Sequence, residues 1–205
     1  MIREILKLSV IITFVVSYLI CSINPAIIIC KKKTGQDIRK LGSGNAGSAN
    51  AMRVLGKILG TVVVILDVSK VLVSFEASVL ISKMFGESLE GYLMSSFILG
   101  ALLGHCFPVY YGFRGGKGVI VATTLALLLN YRCAVVCIIV CALVYIFTRI
   151  PSVATLFGII LYFILILVMD FEYTIPVAII TFIILFKHRN NIKRICQRQE
   201  KIFKM

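Results

Sequence analysis

LSVIITFVVSYLICSINPAIIIC, residues 8–30, is a run of 23 amino acids without a single charged side chain. A helix needs about 20 apolar residues to cross a hydrocarbon core of about 30 Å. The run is too long for a removable signal peptide and lacks a small-residue cleavage site. It therefore predicts a first transmembrane helix that remains in the protein.

The whole chain has the composition of an integral membrane protein, with 205 residues, 60% of them hydrophobic, and a mean hydropathy of +1.00. Four further runs predict spans, and two runs of 14 residues are short for a crossing; the long runs are 58–82, 92–104, 133–148 and 150–169, and the short ones 118–131 and 173–186. The predicted fold is an all-α integral membrane protein, one polytopic domain over residues 1–205, with seven transmembrane helices, five firm and two short.

The distribution of charge predicts the orientation. If all seven segments cross, 17 of the 22 lysines and arginines fall on one side, in segments 31–57, 105–117 and 187–205 and at Arg149. The positive-inside rule then places the N-terminus outside and the C-terminus in the cytoplasm. A five-helix alternative without the two short segments keeps the three large basic segments on the same side. The net charge of +13 thus reflects topology and attraction to anionic lipids, and no nucleic-acid partner is predicted.

The seven cysteines do not predict a metal site or a disulfide framework. An odd number argues against complete pairing. Cys133, Cys137 and Cys141 share one helix face, and no His or carboxylate accompanies them, which favours small apolar packing.

The first of three polar segments is RKLGSGNAGSANAMRVLG, residues 39–56. Its glycines allow positive φ angles that turn N–H groups inward, as in anion-binding nests, before a helix-like pattern that carries Arg53. The alternative is a flexible linker with a helix cap. A linker, however, has no need of both Asn45 and Asn50.

The second segment is GHCFPVYYGFRGGKGV, residues 104–119. It ends in a glycine-rich turn with Arg114 and Lys117 before an apolar helix, an arrangement that can hold a phosphate. It is not a nucleotide-hydrolysing Walker A loop, because Tyr111 and Gly118 occupy its first glycine and hydroxyl positions. The alternative is a plain loop with two basic anchors.

The third segment is FKHRNNIKRI, residues 186–195, directly after the last apolar run. His188 and Asn191 are three residues apart and share a helix face, whereas Arg189 and Lys193 point elsewhere. His105 and His188 are the only histidines of the chain, and both lie in these polar segments. The alternative is a basic helix that contacts lipid headgroups.

Together the three segments offer anion sites and no acidic cluster for a divalent metal, which predicts a phosphorylated, membrane-associated metabolite as partner. In order, they resemble the three motifs of the bacterial acyl-phosphate:glycerol-3-phosphate acyltransferase family, PlsY. The preceding helix also has the family's LD..K pattern in Leu66, Asp67 and Lys70. The resemblance covers nearly the whole chain.

This resemblance implies a seven-helix enzyme that transfers a fatty acyl group from acyl phosphate to the sn-1 hydroxyl of glycerol 3-phosphate, giving lysophosphatidic acid and phosphate. It implies a bacterial cytoplasmic (inner) membrane protein with a cytoplasmic active site. No cofactor, metal, CoA or obligate protein partner is expected; the expected partners are the two substrates and the lipid bilayer.

The resemblance also carries residue roles onto this chain. The expected catalytic residues are Ser43, His188 and Asn191. The substrate-binding residues that the resemblance implies are Asn45, Asn50, Arg53, Gly115, Gly116, Lys117 and Gly118. His105, one of the two histidines in the polar segments, is also expected to bind substrate. Either His188 or the phosphate of the acyl donor can act as the general base. A covalent role for Ser43 is disfavoured, because acyl phosphate is already activated and no His lies in the same segment.

Four positions depart from the family pattern, and they keep other functions open. The departures are Ser48, Ala49, Val121 and Arg198, the last at a position usually held by Gly. One alternative is therefore a paralogue that acylates another phosphorylated polyol. The other is a transporter or flippase, for which only Asp67, Lys70 and Glu76 could form a midplane pathway; Asp67 and Lys70 more simply form an ion pair.

Overall fold

The computed structural model describes residues 2–200, with side chains described from Lys7 onward, and this part of the chain contains ten α-helices and no β-strand. The helices are α1 (Ile2–Cys21), α2 (Pro25–Thr34), α3 (Ser48–Leu55), α4 (Lys57–Met84), α5 (Gly91–Cys106), α6 (Val119–Leu129), α7 (Tyr131–Thr148), α8 (Pro151–Met169), α9 (Thr174–Lys187) and α10 (Arg189–Cys196). The predicted basic segment 187–205 runs on into positions 201–205, which lie outside the described residues.

The predicted helical membrane fold is confirmed. Five helical segments are long and apolar enough to cross a membrane: Lys7–Thr34, Lys57–Met84, Gly91–Tyr111, Tyr131–Thr148 and Pro151–Met169. The two short runs are also helices, α6 with 11 residues and α9 with 14. The segment containing α9 meets α10 at a bend of 60°. At a rise of about 1.5 Å per residue, α6 covers only about half of the hydrocarbon thickness.

The first predicted span is divided into two helices. α1 ends at Cys21 and α2 begins at Pro25. Proline has no N–H to continue a helix, and it is well placed at the start of one. The side chain of Asn24 accepts the N–H of Ile27 at 3.0 Å and so caps the new helix. Residues 8–30 thus supply one long span with a polar break near its C-terminal end.

Small residues let α1 and α5 pack closely against each other. A Cβ atom on Gly100 would lie 2.6 Å from the carbonyl oxygen of Phe14, and one on Gly104 would overlap the carbonyl oxygen of Tyr18. The two glycines of α5 therefore let it approach the backbone of α1 directly, as in many membrane helix pairs.

Buried hydroxyl groups recur every four residues on both α1 and α4. The members are Ser9, Thr13 and Ser17 on α1 and Ser74, Ser78 and Ser82 on α4. The hydroxyls of Ser17 and Ser78 lie 3.2 Å apart. Small polar side chains of this kind combine close helix packing with hydrogen bonding inside a membrane protein.

The chain forms two compact units, Met1–Thr124 and Leu125–Met205, whose boundary falls within α6. In the second unit, buried residues of α7, α8 and α9 form one apolar core, which contains Cys133, Ala134, Cys137, Tyr162, Ile166 and Val177. The predicted packing role of the cysteine row agrees with this position of Cys133 and Cys137.

Candidate active site

The first polar segment forms an ordered loop that is organised by one side chain. A single 3₁₀ turn, Ile38–Lys40, leads into residues 41–47 and then into α3. Asn50 is 1% exposed, and its amide donates to the carbonyl oxygens of Ile38 (3.3 Å) and Leu41 (3.0 Å). Its side-chain oxygen accepts the N–H of Ser43 at 2.8 Å. These three contacts close the loop, which the flexible-linker alternative does not require.

The predicted left-handed backbone is present at two glycines of this loop. Gly42 and Gly44 have φ angles of 58° and 73°. The N–H groups of Ser43 and Gly44 form hydrogen bonds inside the loop. Ser43 donates to the Asn50 side chain, and Gly44 donates to the carbonyl of Leu41 at 3.0 Å. The loop thus turns as expected, but these two donors close the turn themselves. The Ser43 side chain is exposed and Asn45 is half-buried.

The second polar segment folds back onto the end of α5. The N–H groups of Gly115 and Gly116 donate to the carbonyls of Cys106 and His105, both at 3.2 Å. A Cβ on Gly115 would overlap the His105 carbonyl, and Gly118 has a φ of 83°. The glycines therefore serve close packing and turning. Backbone N–H groups without a helical partner lie instead in the first turn of α6, as at any helix start, and such groups can bind an anion. Lys117 is half-buried beside that turn.

The two loops contact each other at two places. At the first, Arg39 donates to the carbonyls of Tyr111 (2.7 Å) and Arg114 (3.1 Å). The same guanidinium forms a two-pronged ion pair with Asp37, with Nη2 at 2.7 Å from Oδ2. The hydrogen bond from Arg39 holds the pKa of the Asp37 carboxyl below its usual value. Arg39 was not among the predicted site residues.

The second contact lies at Ala46 and Gly116. A Cβ on Gly116 would lie 2.9 Å from the Ala46 carbonyl oxygen and would overlap the imidazole Nε2 of His105. The Asn24 amide, at the break between α1 and α2, donates to the same Ala46 carbonyl at 3.1 Å. We call the group of Asn24, Ala46, His105 and Gly116 the loop junction.

The third polar segment lies in the second unit and places two predicted residues inward. His188 stands between α9 and α10, is 2% exposed, and has Nδ1 at 2.8 Å from the Ile184 carbonyl oxygen. Asn191 is also buried, whereas Arg189 and Lys193 are exposed as predicted.

Glu200, which was not predicted, accepts hydrogen bonds from three side chains of this unit. Its donors are the Asn191 amide, Ser152 at 2.8 Å and Arg194 at 2.6 Å. Burial raises the pKa of the Glu200 carboxyl, but the three hydrogen bonds outweigh it, so the pKa lies below its usual value. A charged Glu200 therefore fixes the direction in which Asn191 points.

Within residues 2–200, no three His, Cys, Asp or Glu side chains are grouped as metal ligands would be. The cationic predicted residues are Arg53, which is exposed on α3, and Lys117. The geometry is thus one of two interlocked glycine-rich loops with basic side chains in the first unit, and a buried His–Asn pair in the second.

Comparison with known proteins decides between the possible families. The sequence model of the family described as glycerol-3-phosphate acyltransferase matches residues 11–198. The chain belongs to the glycerol-3-phosphate acyltransferase family. A protein of this name from Francisella tularensis subsp. holarctica (strain OSU18) is 37% identical over 187 residues, which cover 90% of this chain and 88% of the relative. Another, from Idiomarina loihiensis, is 35% identical over 92% of this chain and 93% of the relative.

Two solved structures of PlsY, described as an integral membrane glycerol 3-phosphate acyltransferase, share this fold. The glycerol 3-phosphate form is 31% identical with a TM-score of 0.84, and the match covers 96% of both chains. The lysophosphatidic acid form is 28% identical with a TM-score of 0.82 over the same share of each chain. The predictions of family, membrane fold and acyltransferase activity are confirmed, and the enzyme is favoured over the transporter alternative.

One departure of this acyltransferase from the family pattern has a visible structural consequence. Arg198, at the position usually held by Gly, adopts a φ of 54°. The left-handed region costs an L-residue with a Cβ about 1–2 kcal/mol, whereas Gly enters it freely. Val121, another departure, is fully buried at 0% exposure.

We expect Arg198→Gly to stabilise the protein by about 0.5–1 kcal/mol, because relief of the left-handed strain exceeds the added flexibility of the unfolded chain. The midpoint of thermal unfolding in detergent measures this. Gln197→Gly is a matched control, since Gln197 has a φ of −86° and gains nothing from glycine. Equal destabilisation by both substitutions would contradict the strain.

Proposed function

We propose that this acyltransferase moves a fatty acyl group from acyl phosphate to the sn-1 hydroxyl of glycerol 3-phosphate. The hydroxyl oxygen attacks the acyl carbonyl carbon, the bond from that carbon to the phosphate oxygen breaks, and lysophosphatidic acid and inorganic phosphate leave. Family membership and the glycerol 3-phosphate and lysophosphatidic acid forms of solved PlsY support the acceptor and the product. Both substrates are anionic phosphates, which suits the basic side chains of the two loops.

The observation that carries this proposal is the interlocking of the two glycine-rich loops at Arg39 and at the loop junction. Two loops that are 70 residues or so apart in the chain have no reason to be held so closely if each only links two spans. Held together, they present Ser43 and Asn45 from one loop and Lys117 with the first turn of α6 from the other. Backbone donors and ammonium groups of this kind stabilise phosphate and the charge that develops on the carbonyl oxygen.

His188 is suited to accept the proton from the hydroxyl. A carbonyl oxygen can only accept, so the 2.8 Å contact with Ile184 requires hydrogen on Nδ1. In the neutral imidazole, Nε2 then carries the lone pair of a general base. The phosphate of the acyl donor is a second candidate for the same step. Asn191, oriented by Glu200, is proposed to act beside His188.

Ser43 is proposed to contact substrate rather than to form an acyl-enzyme. Its side chain is exposed on the first loop, and acyl phosphate needs no covalent activation. We also propose that the site faces the cytoplasm of a bacterial cell from its inner membrane, since the loops belong to the basic segments that the positive-inside rule places there.

The deciding experiment uses the purified full-length protein in detergent with acyl phosphate and glycerol 3-phosphate. Release of phosphate that matches formation of lysophosphatidic acid is the expected result. A transporter would release none in the absence of a sealed membrane. A paralogue would prefer another phosphorylated polyol, which a panel of such acceptors compared by kcat/KM would reveal.

Arg53→Lys should lower kcat/KM at least about tenfold, equivalent to about 1.4 kcal/mol of transition-state binding. Arginine offers two parallel hydrogen bonds to a phosphate, and lysine cannot reproduce that fork. The same assay measures the effect, with Lys40→Arg as a control on another exposed cation of the same polar segment. Wild-type kinetics for Arg53→Lys would show that this guanidinium does not bind a substrate phosphate.

A further inference from the structure

A buried cluster of charged and polar groups adjoins the loop junction and shares His105 with it. Lys70 and Asp67 of α4 and His105 of α5 are 7%, 2% and 4% exposed. The Lys70 Nζ lies 2.8 Å from Asp67 Oδ1, an ion pair whose alignment is not that of a hydrogen bond. It also lies 2.9 Å from the carbonyl oxygen of Ile23 and 2.9 Å from His105 Nδ1. The predicted ion pair of Asp67 and Lys70 is present, and His105 completes a cluster of three side chains.

The chemistry of lysine fixes the protonation of this imidazole. An ammonium group has three hydrogens and no lone pair, so its partners must all be acceptors. His105 Nδ1 lies 3.5 Å from Asp67 Oδ1 but only 2.9 Å from Lys70 Nζ, and at the shorter distance it must offer its lone pair to the ammonium group. The Asp67 carboxylate and the Ile23 carbonyl oxygen are the other two groups within 3 Å of this nitrogen. The hydrogen of the neutral imidazole then resides on Nε2.

The nitrogen that carries this hydrogen faces the loops. A Cβ on Gly116 would overlap His105 Nε2, and the Ala46 carbonyl oxygen borders the same space. An N–H donor on His105 Nε2 is compatible with this part of the loop junction, which consists of the Ala46 carbonyl oxygen and the Gly116 backbone.

We propose that Lys70 is a positioning residue that holds His105 in the Nε2–H tautomer, and that His105 in turn keeps the second loop in register with the first. His105 accordingly supports the loops instead of binding substrate, which revises its predicted role. Lys70 acts through His105 on Lys117 and the start of α6 without touching substrate. The kinetic part of this proposal rests on the proposed function, whereas the tautomer does not.

The tautomer is measured directly by nitrogen NMR of the full-length protein with ¹⁵N-labelled histidine in detergent. The chain has only two histidines, so a His188→Gln sample assigns the spectrum. The contacts require opposite tautomers: a lone pair on Nδ1 of His105 and a hydrogen on Nδ1 of His188. A proton on Nδ1 of His105 would overturn the proposal, whether or not the protein proves to acylate glycerol 3-phosphate.

Kinetics test the positioning role. Lys70→Met should raise the KM of at least one phosphate substrate about tenfold while kcat changes less than about threefold, because the loops lose register before the chemistry is altered. Lys83→Met is the matched control, because it makes the same change at the exposed C-terminal end of the same helix. It should leave both KM and kcat unchanged. His105→Gln, whose side-chain amide can still donate towards Ala46, should retain a KM closer to the wild type than His105→Leu.

A double variant separates positioning from a purely structural ion pair. Lys70→Met alone leaves the Asp67 charge buried without its partner, which can prevent folding. Asp67→Asn combined with Lys70→Met removes both charges. Positioning predicts that the KM stays raised and that His105 samples both tautomers in this double variant. A wild-type KM in the double variant would overturn the proposal, and the wild-type NMR spectrum decides the tautomer even if both variants misfold.

Discussion

Gly116→Ala is expected to lower kcat/KM at least about 100-fold, or about 2.7 kcal/mol of transition-state stabilisation. The added Cβ would overlap His105 Nε2 and lie 2.9 Å from the Ala46 carbonyl oxygen. Both obstacles are held in place, the first by Lys70 and the second by the Asn24 amide. The methyl group can be accommodated only if the two loops separate, which moves Lys117 away from the first loop.

Gly112→Ala is the control for this substitution. Gly112 lies in the same loop, and a Cβ there would meet nothing within 4 Å. Its φ of 63° costs some stability on substitution, so Gly112→Ala strains the backbone more than Gly116→Ala does. Gly112→Ala should nevertheless keep kcat/KM within about threefold of wild type. Comparable losses in the two variants would mean that backbone flexibility, not contact between the loops, is what the glycines supply.

The long spans and the glycine turns could be predicted from the sequence because their causes are local. Uninterrupted apolar length predicts a spanning helix, and the clustered glycines around Ser43 predicted the positive φ angles found at Gly42 and Gly44. The break at Asn24 and Pro25 was also readable, since a capping residue followed by proline marks a helix start. The apolar run continues through this break, so apolar length alone predicts one unbroken helix.

The contacts that hold the site together could not be predicted, because they join distant parts of the chain. Arg39 reaches carbonyls 72 and 75 positions away, and Lys70 contacts an imidazole 35 positions away. The sequence places His105 in a polar segment, whereas the fold buries it against a lysine. The recurring hydroxyls of α1 and α4 did carry a local signal, a serine or threonine every fourth residue, but only packing shows what they face.

Asn50 differs from the other predicted binding residues because its side chain is already engaged. Its amide makes three contacts within the first loop and is 1% exposed. Asn45 on the same loop is half-buried. We therefore propose that Asn50 positions the loop and that Asn45 contacts substrate, whereas the sequence predicts both as substrate-binding residues.

Asn50→Ala should then abolish ordered closure of the loop and lower kcat/KM at least about 100-fold. The substitution leaves the Ile38 and Leu41 carbonyls and the Ser43 N–H without their partner, and each buried unsatisfied group costs about 1–3 kcal/mol. The protein should still insert and remain folded, since α1, α4 and α5 pack against one another independently of this loop. Amide hydrogen exchange of the substrate-free protein should rise in residues 41–47 and stay unchanged in α5.

Asn45→Ala is the matched control, because it removes the other asparagine of the same loop. If Asn45 contacts substrate, its loss lowers activity without any change in exchange of the substrate-free loop. The Asn45 amide lies beside Gly47 and takes part in none of the three hydrogen bonds that close the loop. Asn50→Ala would then differ from it in exchange and not only in rate. Should Asn50→Ala instead reduce activity while the exchange of residues 41–47 matches wild type, the three contacts would not be what orders the loop, and Asn50 would return to the substrate-binding role that the sequence predicts.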